Sequence, residues 1–175
     1  QDSLAAFVEK YRDKEAIPAV GSAVVMDVNT GAVLACATYP SYDLNTYYQN
    51  YEALSKDKSS PLWNRALMST YEPGSTMKPA IAAAGLEEGV ITETSKFYCS
   101  HIYRQFTDTT FKCLGSHGWI DVKNALNQSC NIYFYETGRL LGINRMNDYC
   151  TRFGLGQKTG VEINESSGVL AGIAY

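Results

Sequence analysis

The run Gly21-Ser22-Ala23-Val24-Val25-Met26-Asp27-Val28-Asn29-Thr30-Gly31-Ala32-Val33-Leu34-Ala35-Cys36-Ala37-Thr38 reads as a β-hairpin. Its first strand spans Ile17 to Val28, rich in branched residues that suit extended backbone. Asn29-Thr30-Gly31 makes the tight turn, Gly31 supplying the positive φ that it needs, and Ala32 to Thr38 is the partner strand. The apolar positions are nearly continuous rather than alternating, so both faces of the hairpin are expected to be covered.

Before the hairpin, Ser3 to Lys14 reads as an amphipathic helix with Asp2 or Ser3 as cap. Its face is Leu4, Phe7, Val8 and Tyr11. After it, Tyr39 to Pro61 is rich in Tyr, Asn, Ser and Asp and reads as a long surface connection with little regular structure. Lys78 to Glu88 then reads as a helix ended by Gly89, and Phe97 to Lys112 as a short hairpin. Three more helices follow, at Asp121 to Gln128, Ile132 to Leu141 and Arg145 to Phe153. One hairpin followed by a set of helices is an incomplete α/β layer structure, since a two-stranded sheet is marginal alone. Further strands are therefore expected beyond Tyr175.

Composition sets limits on function. The chain has 175 residues, 45% hydrophobic and 19% charged, which is ordinary for a folded domain. Its net charge of -3, with scattered Lys and Arg, gives no nucleic-acid footprint. No apolar run approaches the length of a membrane span, and Gln1 opens onto a polar stretch rather than a signal peptide. The abrupt ends read as those of a segment of a longer parent. Five cysteines cannot all pair within the chain, and none forms a CxxC. Cys99 and Cys113 flank a polar stretch at a spacing that would let them meet across a hairpin. His101, His117, Cys99, Cys113 and Asp108 show no spacing typical of a zinc site, so neither a metal nor a cofactor is expected.

The chemistry concentrates in Tyr71-Glu72-Pro73-Gly74-Ser75-Thr76-Met77-Lys78-Pro79. Pro73-Gly74 is a turn, and Pro79 is comfortable only in the first turn of a helix. That places Ser75 at the helix start with Lys78 on the same face. A serine hydroxyl is a poor nucleophile until a base takes its proton. A lysine can be that base where burial and the positive helix end favour its neutral form. The apolar Ala80-Ile81-Ala82-Ala83-Ala84 that follows predicts a buried helix. Ser55 and Lys58 share the spacing but lie in a polar stretch, where the match is a coincidence. Ser129-Cys130-Asn131, between two predicted helices, offers a hydroxyl to relay a proton and an amide to bond Lys78 and a substrate.

Together these motifs resemble the penicillin-binding proteins, in which Ser-x-x-Lys is paired with Ser-x-Asn. The resemblance extends over nearly the whole chain. Gly21 to Asp27 with Thr30 to Ala35 is similar to the family's opening hairpin, and Tyr39-Pro40-Ser41-Tyr42-Asp43-Leu44-Asn45 follows as it does there. His117-Gly118, and Phe153-Gly154-Leu155-Gly156 before Thr159-Gly160, match as well. The likeness is strongest to the class B, elongation-type members. It implies that residues 1–175 are the N-terminal part of one transpeptidase domain of partial β-lactamase/transpeptidase-like α/β fold. The implied catalytic set is Ser75, Lys78, Ser129 and Asn131.

The implied reaction is D,D-transpeptidation of peptidoglycan stem peptides through an acyl-enzyme on Ser75, which β-lactam antibiotics would also acylate. The implied parent sits at the outer face of the cytoplasmic membrane, anchored by an N-terminal helix and partnered by a membrane-embedded glycosyltransferase. Lys158-Thr159-Gly160 carries the letters of the family's third motif but follows a glycine-punctuated helix end too soon after Asn131. The true triplet, with the strand that completes the oxyanion hole, is expected beyond Tyr175, leaving this stretch alone inactive or very weak. A serine β-lactamase or β-lactam sensor, or a non-catalytic docking module of a wall-synthesis complex, stay open as alternatives.

Overall fold

In the computed structural model, which describes residues 1–11, 19–106 and 108–172, the hairpin forms as strands β1 (Gly21–Met26) and β2 (Val33–Tyr39). They pair antiparallel from Gly21 opposite Tyr39 to Met26 opposite Val33, with an irregularity between Val25 and Met26. The turn closes through Gly31 N–H to Asp27 O at 2.8 Å, and the Asp27 carboxylate accepts from Asn29 N–H at 2.7 Å. Gly31 holds φ +75, as the turn requires. Helix α1 (Asp2–Tyr11) packs on this pair, and Gly21 lets Val8 approach to where a Cβ would lie 2.8 Å from its Cγ2. The expected ends of the first helix and first strand, at Lys14 and Ile17, lie outside the described residues.

Two expectations are corrected in this part of the chain. Tyr39 to Pro61 is not mostly irregular, because a 3-10 turn (Leu44–Thr46) leads into α2 (Tyr47–Lys56). Asp43 caps the turn by accepting from Asn45 N–H at 2.8 Å. The helix buries no residue. Neighbours one turn apart support it instead: Tyr47 against Tyr51 with ring centroids 5.6 Å apart, and Lys56 to Glu52 at 2.6 Å. Its polar composition concealed those pairs. Nor are both faces of the hairpin covered, since Val25 is 52% and Leu34 67% exposed. Helix α1 and the short α3 (Arg65–Met68) supply the main packing on the sheet among the described residues. A continuous apolar run implies two covers only where the chain supplies both.

The chain divides into two units, Gln1–Thr70 with Gly160–Ser166, and Tyr71–Thr159 with residues 167–172. The second holds the core. Helix α4 (Lys78–Glu87) packs against α6 (Asn131–Leu141) and α7 (Ile143–Arg152), with α5 (Val122–Asn127) leading into α6. Small residues on α4 permit the close approach. A Cβ on Gly85 would lie 2.8 Å from Thr137 Cγ2, and Ala84 is fully buried. Tyr133, also fully buried, stacks on Phe97 at 4.9 Å and donates its hydroxyl to Ser95 O at 3.2 Å. Burying an aromatic side chain of this size contributes roughly 1.5–3 kcal/mol.

Between α4 and α5 the chain makes two nested two-stranded ribbons in place of the one expected hairpin. β3 (Phe97–Cys99) pairs with β6 (Gly118–Ile120), and inside them β4 (Ile102–Tyr103) pairs with β5 (Phe111–Lys112). The outer pair was hidden because strands this short carry almost no periodicity.

Candidate active site

Gly74 takes φ +54 and starts a 3-10 turn, Gly74–Met77, that runs directly into α4. In a 3-10 turn residues three apart eclipse one another, which brings Lys78 beneath Ser75. Pro79 sits in the first turn of α4, where its missing N–H costs nothing. From the other side, the Ser129 N–H bonds Leu126 O at 3.1 Å as α5 ends, and Asn131 opens α6. Ser129 bends the chain between them with φ +51, a left-handed conformation that a non-glycine residue rarely adopts. Nothing in the triplet's letters announced that strain.

The turn delivers its polar atoms to one amine. Lys78 Nζ lies 2.7 Å from Ser129 O, 2.7 Å from Asn131 Oδ1, 2.8 Å from Ser129 Oγ and 3.1 Å from Ser75 Oγ. Ser129 Oγ is in turn 3.0 Å from Ser75 Oγ. Asn131 is held by its Nδ2, which donates to Lys112 O at 3.1 Å. All four residues named from the sequence converge. Ser75 is exposed, while Lys78 is only 8% exposed.

That arrangement defines what the lysine can do. Ser129 O and Asn131 Oδ1 can only accept, so each takes an N–H from Lys78. The remaining position of the amine faces the two hydroxyls, and in the neutral form it is a lone pair. Burial pushes Lys78 below the ordinary lysine range, against the opposing pull of negative charge at Cys113 and Cys130. The Phe134 ring, 5.9 Å from Nζ, is part of the apolar wall. A neutral Lys78 can therefore take the Ser75 proton directly or through Ser129 Oγ.

The look-alike motifs fall away. Lys158 and Thr159 are exposed and lie on no strand. Ser55 sits on α2 and bonds its own helix at Glu52 O, 3.0 Å away.

The fold also assembles a constellation that spacing along the chain does not reveal: Cys99, Cys113 and His117 meet Cys130, not His101 and Asp108. All five cysteines are free, Cys99 and Cys113 included. Burial pushes the Cys113 thiol up, but backbone N–H groups of Gly115, Asn131 and Ile132 outweigh it and bring the thiol down. Burial pushes Cys130 up.

Known proteins resemble this chain in sequence and fold. A family model for the penicillin binding protein transpeptidase domain matches residues 21–171. The peptidoglycan D,D-transpeptidase MrdA of Acinetobacter baumannii is 35% identical over 164 residues, covering 85% of this chain and 24% of the relative. The crystal structure of Pseudomonas aeruginosa PBP2 in complex with WCK 5153 matches with a TM-score of 0.80 and 35% identity, over 87% of this chain and 37% of that one. A peptidoglycan synthase complex described as coordinating polymerization and crosslinking matches with a TM-score of 0.81 and 36% identity, over 89% and 28%. The chain spans about a quarter of the length of the curated relatives it matches.

Proposed function

This chain belongs to the penicillin-binding protein transpeptidase family, and we propose that it is the N-terminal, nucleophile-bearing part of a peptidoglycan D,D-transpeptidase domain. The observation that carries the reading is the amine of Lys78, bonded at once to Ser75, Ser129 and Asn131. Ser75 Oγ attacks the carbonyl carbon of the bond between two terminal D-alanines of a stem peptide. Its proton passes to Lys78, directly or through Ser129. The same proton goes to the leaving D-alanine amine as the tetrahedral intermediate collapses to an acyl-enzyme. An amine of a neighbouring stem then attacks the ester, losing a proton to Lys78 and releasing Ser75. β-Lactams enter the first half of this cycle and stay attached.

Asn131 has its amide oxygen engaged by Lys78 and its amide nitrogen by Lys112 O, so it positions the base. The second oxyanion donor and the Lys-Thr-Gly strand belong to later parts of the domain. The parent works at the outer face of the cytoplasmic membrane beside a glycosyltransferase, a pairing in keeping with the similar synthase complex. Among the described residues no helix is long and apolar enough to cross a membrane.

Fluorescent penicillin labelling tests the reading. The full-length parent should label at Ser75 and lose the label in Ser75→Ala, and residues 1–175 alone should label at least about 10²–10³ more slowly, since an oxyanion donor is missing. Labelling of the Ser75→Ala parent would sink the nucleophile assignment. Rapid shedding of the adduct, followed by mass spectrometry, would point to a β-lactamase instead.

A further inference from the structure

Asn131 serves Lys78 in only one of its two amide orientations. With Oδ1 2.7 Å from Nζ it accepts from the amine and leaves the lone pair of the neutral form free for the Ser75 proton. Turned by half a rotation, Nδ2 would face the same amine and donate into that lone pair, occupying the base. A charged amine, which has only N–H groups to offer, selects Oδ1 by itself; a neutral one does not. The Lys112 carbonyl makes the choice for it. That oxygen accepts from Nδ2 at 3.1 Å and would meet a second acceptor in the turned amide. The orientation is therefore set from the far side, by one backbone oxygen at the end of β5.

Strand β5 cannot hold that oxygen alone. It shares two residue pairs with β4, Ile102 with Lys112 and Tyr103 with Phe111, and so short a ribbon is marginal. It is fastened to α6 about one turn beyond Asn131. The buried Tyr103 donates its hydroxyl to Glu136 Oε2, and the rings of Phe111 and Tyr103 lie 5.5 and 5.7 Å from Tyr135. Arg139 bonds both Glu136 oxygens, at 3.0 and 2.6 Å, and holds that carboxyl below the usual carboxylate range. Burial, with Glu136 beside it, pushes Tyr103 up to about 12, so its hydroxyl stays a donor. We propose that Tyr103 and Glu136 are positioning residues for acyl transfer: their bond fixes the β4–β5 ribbon on α6 so that the Lys112 carbonyl keeps the amide oxygen of Asn131, and not its nitrogen, against Lys78. Neither residue bonds Lys78, whose partners are Ser75, Ser129 and Asn131, so both act through Asn131. The inference rests on the reading of Ser75 as nucleophile and Lys78 as base.

The test is the rate of fluorescent penicillin acylation of the full-length parent across pH. Tyr103→Phe should slow acylation by about tenfold, as a small misplacement behind a catalytic group does. It should also move the pH limb down, because an amine that loses an acceptor or gains a donor at its lone pair holds a proton less well. The thiols that act on Lys78, Cys113 and Cys130, are unchanged in the variant. Glu136→Gln keeps an acceptor for Tyr103 and should keep the wild-type limb. Glu136→Ala leaves the buried ring in place and should reproduce the slow rate and lowered limb, which decides the matter if Tyr103→Phe does not fold. In an Asn131→Ala background, Tyr103→Phe should change neither rate nor limb further. An unmoved limb in both Tyr103→Phe and Glu136→Ala, or an equal further loss in the Asn131→Ala background, would overturn the proposal alone, provided Ser75→Ala is silent. Labelling that survives Ser75→Ala would overturn the acyl-transfer reading and this proposal together.

Discussion

Lys78 and Asn131 are joined by a 2.7 Å bond from Nζ to Oδ1 that ties the first turn of α4 to the first residue of α6. Asn131→Ala removes the Oδ1 acceptor of Lys78, along with the Nδ2 donor to Lys112 O, and lets the amine rotate away from Ser75. Acylation of the full-length parent should fall by about 10²–10⁴. Asn131→Asp should act differently, because a carboxylate beside Lys78 favours the charged amine. Its acylation rate should recover only at higher pH. Identical pH profiles for the aspartate variant and the wild type would mean that the two side chains are not coupled.

The lowered pKa of Lys78 predicts both a rate profile and a stability slope. Acylation should rise with pH through a limb lying below the ordinary lysine value of 10.5, as the neutral amine becomes available. For stability, the unfolded chain binds the extra proton between the lowered folded value and 10.5. Stability therefore increases with pH across that window, and the penalty is full below it. Urea unfolding of Lys78→Met should lose this slope. A wild type no steeper than the variant would show that burial does not shift the lysine.

Ser129 has a separable cost and use. Its left-handed backbone is strained, so Ser129→Gly should stabilise the fold by up to about 1 kcal/mol. The same change removes the hydroxyl between Lys78 and Ser75 and should slow acylation by about 10²–10⁴. Ser129→Ala keeps the strain and loses the hydroxyl, so it should be slow without being stabilised. Melting temperatures and labelling rates of both variants, read side by side, separate the two effects.

Gly85 tests the packing behind the site. In an exposed helix, Gly→Ala would stabilise by about 1 kcal/mol. Here the added methyl meets Thr137 Cγ2 at 2.8 Å and Ile91 Cγ1 at 3.0 Å. Overpacking of this kind typically costs about 1–3 kcal/mol. Gly85→Ala should therefore melt below the wild type. A higher melting temperature would mean that α4 and α6 have room that the distances deny.

Local signals in the chain marked the hairpin and most helices around the core, while the pairing of Ser75 and Lys78 with Ser129 and Asn131 was legible only through the family resemblance. Gly31 marks a turn, Pro73-Gly74 with Pro79 marks a helix start, and Ser-x-x-Lys fixes a spacing inside one turn of chain. Tertiary structure alone decided the rest. Helix α2 depends on tyrosine and ion-pair contacts that composition conceals. The exposed hairpin faces depend on how many covers the chain supplies. That Ser129 bends left-handed, and that Cys130 meets Cys99, Cys113 and His117, follows from where two ribbons and two helix ends come to rest. Spacing along a chain reports neighbours within a turn. Residues brought together by strand pairing and helix packing leave no such period, so only the folded chain places them side by side.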